Sequence, residues 1–265
     1  MKNWLPFMKS GPTVAVIRLS GMIGGMGRGT LTDATLGPVI DKAFSKGKPD
    51  AIALEINSPG GSPVQSSLIA ARIRRLAEEK KLPVYAFVED VAASGGYWLA
   101  VAADEIYADP SSVVGSIGVI SASFGLHEFI GRHGIERRVH TAGESKSMLD
   151  PFRPEDPKDV ARLNELLEDI HDNFKTHIST RRAGKLAEDR NLFTGEVWLG
   201  ERAQALGLID GIGHLDDVMK ARFGDKVRFR RYSFKRGLLS RFGARVVGDA
   251  VQGIEERAAF ARFGL

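Results

Sequence analysis

The chain has 265 residues, of which 43% are hydrophobic and 26% are charged. This composition is ordinary for a globular protein, and the length suits one large α/β domain, or a domain with a tail. It contains no cysteine, which excludes a disulfide scaffold, a cysteine zinc site and a thiol nucleophile. The net charge is +4, yet residues 220–245 hold ten basic side chains against one acid. An argument about anionic partners therefore concerns that segment alone.

The first part of the chain alternates strand and helix patterns. Strand, helix, strand at this spacing predicts βαβ units and a mostly parallel sheet, in which ligands gather at the carboxyl ends of the strands. The predicted strands are 13–21, 50–58 and 83–88, and the predicted helices are 33–46, 63–80 and a short one of small residues after Ser94.

The second part is less regular. A long helix at 157–181 is expected to bury one apolar stripe, made of Val160, Leu163, Leu167, Ile170, Phe174 and Ile178. The other predicted strands are 105–109, 113–120 and 135–141, the other helices are 124–133 and 199–206, and 206–213 is read as strand or turn. We expect an N-terminal lead at 1–12, one domain at 13–223 and a basic, helical tail at 224–265.

The amino terminus has neither a signal-peptide pattern nor an apolar run long enough to span a bilayer. We therefore expect a cytoplasmic protein that is at most peripheral at the inner face of the membrane. No motif in the sequence calls for a metal or a cofactor, and we predict none.

Two glycine-marked loops follow successive strands, 57-NSPGG-61 and 92-AASGG-96. Since both loops lie at one edge of a parallel sheet, N–H groups of Gly60 or Gly61 and of Gly95 are expected to converge as in an oxyanion hole. Ser94 would lie beside them at the start of a helix, where the dipole favours negative charge. The simpler interpretation is that Ser94 caps the helix and that the glycines form a plain turn.

A serine nucleophile needs a base, and none of the six histidines has an acid partner in a triad-like order. A Ser-Lys pair is therefore considered, in which a neutral lysine takes the serine proton. Lys146 lies among small and apolar residues before Pro151. Taken alone, however, any one lysine is more often a solvated surface charge.

In these motifs the sequence resembles the signal peptide peptidase A family of Ser-Lys serine peptidases, whose fold is that of the Clp protease and the crotonases. The resemblance covers most of residues 13–220. It is carried by 16-VIRLSGMI-23, 54-LEINSPGGSP-63, 92-AASGGYWLAVAADEIYADPSSVVGSIGVI-120, 142-AGESKSMLDPF-152 and 192-LFTGEVWLGERAQALGLIDGIG-213.

The resemblance implies a role for each matching residue. Ser94 matches the nucleophile, Lys146 the general base and Ser116 a residue that orients the lysine amine, while Gly95, Gly60 and Gly61 match the oxyanion-hole loops. It also implies hydrophobic peptide substrates with small residues near the cut, such as signal-peptide remnants or misfolded membrane-protein segments. The chain departs from the family in showing no N-terminal anchor and only a short single copy, which must supply serine and lysine within one subunit or across an interface. We expect a ring-like homo-oligomer.

Two other functions remain open at this level. A crotonase-like acyl-CoA enzyme would share the fold and the oxyanion hole, but it would normally use carboxylates where this chain has Ser94, and Glu89 and Asp90 read as a solvated turn. A non-catalytic scaffold at a membrane surface is the second, because apolar residues recur at helical spacing over 239–254. Nucleic acid is not an expected partner, since the basic stretch has no reading motif.

Overall fold

The computed structural model describes residues 11–24, 30–233 and 257–265. Its centre is an eight-stranded, mostly parallel sheet, which confirms the predicted α/β fold class. The strands are β1 (Thr13–Ser20), β2 (Ala51–Ser58), β3 (Val84–Ala93), β4 (Glu105–Ala108), β5 (Val113–Gly115), β6 (Val197–Leu199), β7 (Gly211–Ile212) and β8 (Arg228–Tyr232).

In the described part of the chain, seven helices lie between these strands. Local signals set several of their starts: Thr32 and Ser62 cap the first two helices through their side chains, and Pro63 occupies the first turn of the second. The helices are α1 (Asp33–Ser45), α2 (Pro63–Lys80), α3 (Gly95–Ala100), α4 (His127–Arg132), α5 (Pro157–Arg181), α6 (Gly200–Ala205) and α7 (Leu215–Phe223).

The order of strands in the sheet is β6-β5-β3-β2-β1-β8, with β4 beside β3 and β7 next to β4. β5 and β6 pair antiparallel, whereas β3 pairs in parallel with β2, β4 and β5. β3 therefore pairs with three other strands, and its carboxyl end leads directly into Ser94.

Alternation along the strands gives the sheet two apolar faces. Ile17, Leu54 and Ala86 belong to the larger core cluster, which also holds α1, α2 and α3. Residues one position away, such as Val16 and Ala53, pack instead with Leu215 and Met219 of α7. Because both faces are covered, β1 and β2 read as nearly continuous apolar runs.

Several predicted boundaries differ from the structure. The strand expected at 135–141 is wrong, because these residues form no strand, and the strand expected at 113–120 ends at Gly115. β3 continues past 88 to Ala93, since Glu89 pairs with Arg18 and Asp90 with Asn57, so this pair is part of a strand and not a solvated turn.

The expected tail begins with ordered structure. Residues 228–232 fall in the predicted tail, yet they form β8 and pair in parallel with β1. Arg231 of this strand reaches Glu55 at 2.6 Å, so part of the basic segment is neutralised on the sheet. The amphipathic helix expected over 239–254 lies outside the described residues.

Candidate active site

Ser94 lies between the end of β3 and the start of α3 with an unusual backbone conformation, φ 51° and ψ −121°. A positive φ is costly for a residue with a side chain and persists only where the surroundings impose it. Here the Ser94 N–H donates to the Gly115 carbonyl at 2.8 Å, and the Ser94 carbonyl accepts from Trp98 N–H at 3.0 Å. The Ser94 side chain makes no capping hydrogen bond, so the capping interpretation gives its position but not its role.

The loop after β2 lies directly against Ser94. A methyl group added at Gly60, where φ is 104°, would lie 2.8 Å from the Ala93 carbonyl oxygen, the Gly95 nitrogen and the Ser94 Cβ. A methyl group added at Gly95 would lie 3.4 Å from the Gly61 nitrogen and 2.4 Å from Ser66 Oγ. The two predicted glycine loops are therefore in van der Waals contact, and only residues without a side chain allow it.

The two glycines after β2 differ in their hydrogen bonding. The Gly60 N–H donates to Ser58 Oγ at 3.2 Å, and the buried Ser58 hydroxyl donates in turn to the Gly21 carbonyl at 2.7 Å. The amide of Gly60 thus holds the loop in place. Gly61 and Gly95 are left as the better candidates to donate to a substrate.

Ser116 lies close to Ser94 because β5 pairs with the end of β3. Gly115 lies opposite Ala93 in the parallel ladder, and Ser116 follows with φ 52°. The Ser116 N–H donates to the Glu196 carbonyl at 2.7 Å. The structure therefore brings together Ser94, Ser116 and the three predicted glycines.

Lys146 is not part of this group within one chain. It lies on an exposed turn in residues 119–156, here called the arm. Every residue of the arm is described, and none is fully buried. In the described residues no hydrogen bond joins Ser94 to Lys146, so their pairing stays a prediction.

The long helix α5 packs against α3, the helix that follows Ser94. Trp98 of α3 stacks on Phe174 and His177 of α5, with ring centroids 4.9 and 4.7 Å apart. His177 Nε2 donates to the Trp98 carbonyl at 3.3 Å, and burial lowers the pKa of this histidine. Of the predicted apolar stripe of α5, only Phe174 and Ile178 are buried, so the first half of this helix presents apolar residues outside the core.

Two serines around the site were not singled out from the sequence. Ser58 fixes the glycine loop as described above, and Ser66 donates to the Ser62 carbonyl at 2.9 Å while lying against Gly95. Ser58 belongs to the motif NSPGG, so its position beside the glycines was available as a signal. Ser66 had no such signal, because its contact depends on how α2 crosses α3.

The described ranges also bear on metal sites and on membrane-spanning helices. No group of three His, Asp or Glu side chains in these ranges is arranged to hold a metal ion. None of the helices there has the length and apolar character needed to cross a bilayer.

The sequence also matches known proteins. The model of peptidase family S49 matches residues 76–226, a stretch that includes Ser94, Ser116 and Lys146. The chain belongs to peptidase family S49.

Similar proteins carry different names. The chain is 48% identical over 271 residues to a Brucella abortus protein named "Na(+)/H(+) antiporter NhaA", an alignment that covers 95% of this chain and 37% of that protein. It is 32% identical over 203 residues to "Probable protease SohB" of Haemophilus influenzae, covering 76% of this chain and 57% of that protein. The chain thus spans only 37% to 57% of the length of these relatives.

Among solved structures, one similar chain is a mutant of the 1510-N membrane-bound stomatin-specific protease. The superposition has a TM-score of 0.48 at 16% identity and covers 83% of this chain and 97% of the other.

Proposed function

We propose that this member of family S49 is a serine endopeptidase that works through a Ser94–Lys146 dyad and an acyl-enzyme. The observation that carries the proposal is the junction of β3 and α3. There a serine is held at φ 51° with no capping hydrogen bond, against glycine loops on two neighbouring strands. A helix cap needs neither the backbone conformation nor the two loops.

In the proposed reaction, neutral Lys146 accepts the Ser94 hydroxyl proton as Oγ attacks the carbonyl carbon of the scissile peptide bond. The N–H groups of Gly61 and Gly95 stabilise the resulting oxyanion. The C–N bond then breaks, the proton passes to the leaving amine, and water hydrolyses the ester to release the acid. Ser116 orients the lysine amine from its turn beside Ser94.

Lys146 has to be brought to Ser94, and we propose that assembly does this. The arm exposes large apolar side chains in the single chain, including Phe124 at 84%, Ile120 at 68% and Phe129 at 59% exposure. Surfaces of this kind mark protein interfaces or membrane contacts. Packing of the arm against another copy in a ring-like homo-oligomer would cover them and fix the lysine.

The proposed substrates are hydrophobic peptides, such as signal-peptide remnants or misfolded membrane-protein segments. Support for this class comes from the match to peptidase family S49 and from the small side chains that flank Ser94 in the sequence. We also propose peripheral contact with the membrane through the basic C-terminal residues, which attract anionic lipid headgroups.

The acyl-CoA alternative finds no support at the site. Such an enzyme would need a carboxylate free for proton transfer near the oxyanion hole. Glu89 is paired with Arg18 at 2.9 Å, and Asp90 accepts from the Asn57 side chain at 2.6 Å.

The dyad is tested with the full chain and a fluorogenic hydrophobic peptide, together with a fluorophosphonate probe whose attachment is located by mass spectrometry. The variants are Ser94→Ala and Lys146→Ala, with Ser179→Ala and Lys158→Ala as exposed controls outside the arm. We expect hydrolysis and labelling to fall by about 1,000-fold or more in both dyad variants and to be unchanged in the controls. Turnover by Ser94→Ala at the wild-type rate would refute the proposal.

A further inference from the structure

The chain leaves the folded core at one point on its way to Lys146. Ile117 is fully buried, and after Gly118 and Val119 the chain enters the exposed part of the arm. Ile117 also follows Ser116 directly and lies two residues after Gly115, which holds the Ser94 N–H. The position of this turn therefore affects both Ser116, which is proposed to orient the lysine, and the first residues of the arm.

The Ile117 carbonyl is held from two sides. It accepts from the Gly195 N–H at 3.1 Å and lies 3.2 Å from Nε2 of His171, near the middle of α5. A carbonyl oxygen only accepts hydrogen bonds, so Nε2 of His171 carries the proton. His171 thus ties α5, which also stacks against the nucleophile helix, to the turn that carries Ser116.

We propose that His171 is a positioning residue for the acylation step, which it supports by fixing the Ser116 turn and the first residues of the arm. This inference rests on the proposed function. His171 does not exchange protons with the substrate. Its contribution is the single N–H donated across 54 residues of sequence to a carbonyl at the edge of the site.

The effect of removing this hydrogen bond should be local. The Gly195 N–H still satisfies the Ile117 carbonyl, and the Ile117 side chain stays in the core, so the fold is expected to persist. A displacement of the Ser116 turn by a fraction of an ångström to an ångström is expected to slow acylation about 10- to 100-fold.

The test compares His171→Leu with His171→Gln in the full chain. A glutamine places an N–H donor at the same number of bonds from Cα as Nε2 of histidine, whereas leucine offers none. Asp172→Asn is the control, since Asp172 is exposed on the same helix, forms an ion pair with Lys175 and makes no hydrogen bond to the Ile117 turn in the described residues. The measurement is the rate of Ser94 labelling by the fluorophosphonate, together with the thermal unfolding midpoint.

We expect His171→Leu to label slowly, His171→Gln to label close to the wild-type rate, and Asp172→Asn to be unchanged, with all three unfolding near the wild-type midpoint. In the Ser116→Ala background, His171→Leu should cause little further loss, because both changes remove the same positioning.

Equal slowing in the leucine and glutamine variants, or independent losses in the double variant, would overturn the inference while leaving the dyad standing. Wild-type labelling at Ser94 with no slowing in His171→Leu would do the same. If folded wild-type chain is not labelled at Ser94 at all, both the dyad and the role of His171 are overturned.

Discussion

Ser94 directly follows β3, and the residues on either side of it are fully buried. Lys146, by contrast, lies on a turn of the arm, in which no residue is fully buried. Around Ser94, a methyl group added at Gly60, Gly61 or Gly96 would come within 3 Å of backbone atoms. In the arm, Gly125, Gly131 and Gly134 have no neighbour within 4 Å of such a group. One side of the proposed dyad is thus shaped by the fold of the single chain, and the other requires a further contact.

The same substitution placed in each region should therefore have opposite effects. A methyl group at Gly96 would lie 2.3 Å from the Ser58 carbonyl oxygen, so Gly96→Ala is expected to destabilise the protein by about 3 kcal/mol. Gly131 lies inside α4 in open space, where alanine should stabilise by about 0.5 kcal/mol. Urea unfolding of both variants measures the difference, and equal effects would contradict the contrast.

Exposed apolar residues of the arm should matter for assembly and little for folding. Phe124→Ser is expected to change the free energy of unfolding by less than about 0.5 kcal/mol, since this side chain is 84% exposed. It should nevertheless shift the chain toward smaller species in sedimentation velocity and reduce peptide hydrolysis. Phe124→Leu keeps an apolar side chain and serves as the control. An unchanged mass and activity in Phe124→Ser would remove the arm from the proposed interface.

The smallest expected effect is a dependence of the protein's stability on pH that arises from His177. Burial lowers the pKa of His177 below its usual value of about 6.5, so the folded protein binds fewer protons here than the unfolded chain. The corresponding stability is present above pH 6.5 and is lost as the pH falls from there through the folded-state pKa. The unfolding midpoint of wild type, measured from pH 7.5 to 5, should fall more than that of His177→Gln, which carries no titrating group. Parallel curves would contradict the assignment.

The sequence allowed the arrangement of loops around Ser94 to be predicted in some detail. Loops after successive parallel strands meet at one edge by topology, so NSPGG and AASGG predicted the contact that Gly60 and Gly95 make. It did not distinguish Gly60 from Gly61, because the choice depends on where the Ser58 hydroxyl points. That orientation is a property of the folded loop.

Other features depended on partners that lie far away in the chain. The segment RFRRY of β8 reads as a charge run, yet it is an edge strand because β1 offers a free side and Glu55 accepts Arg231. Residues 135–141 show the opposite case, because they have a strand-like pattern but pair with no strand of the described residues and form no strand themselves. Local periodicity describes what a segment can do, and pairing decides what it does.

The backbone at Ser94 has a consequence for the protein's evolution and engineering. A backbone conformation in this sparsely populated region costs a non-glycine residue about 1 to 3 kcal/mol, and glycine would relieve that cost at the price of the hydroxyl. Selection for thermal stability alone should therefore favour replacement of Ser94, the proposed nucleophile, as in the general conflict between stability and activity. Stabilised variants recovered without an activity screen need to be checked first at position 94.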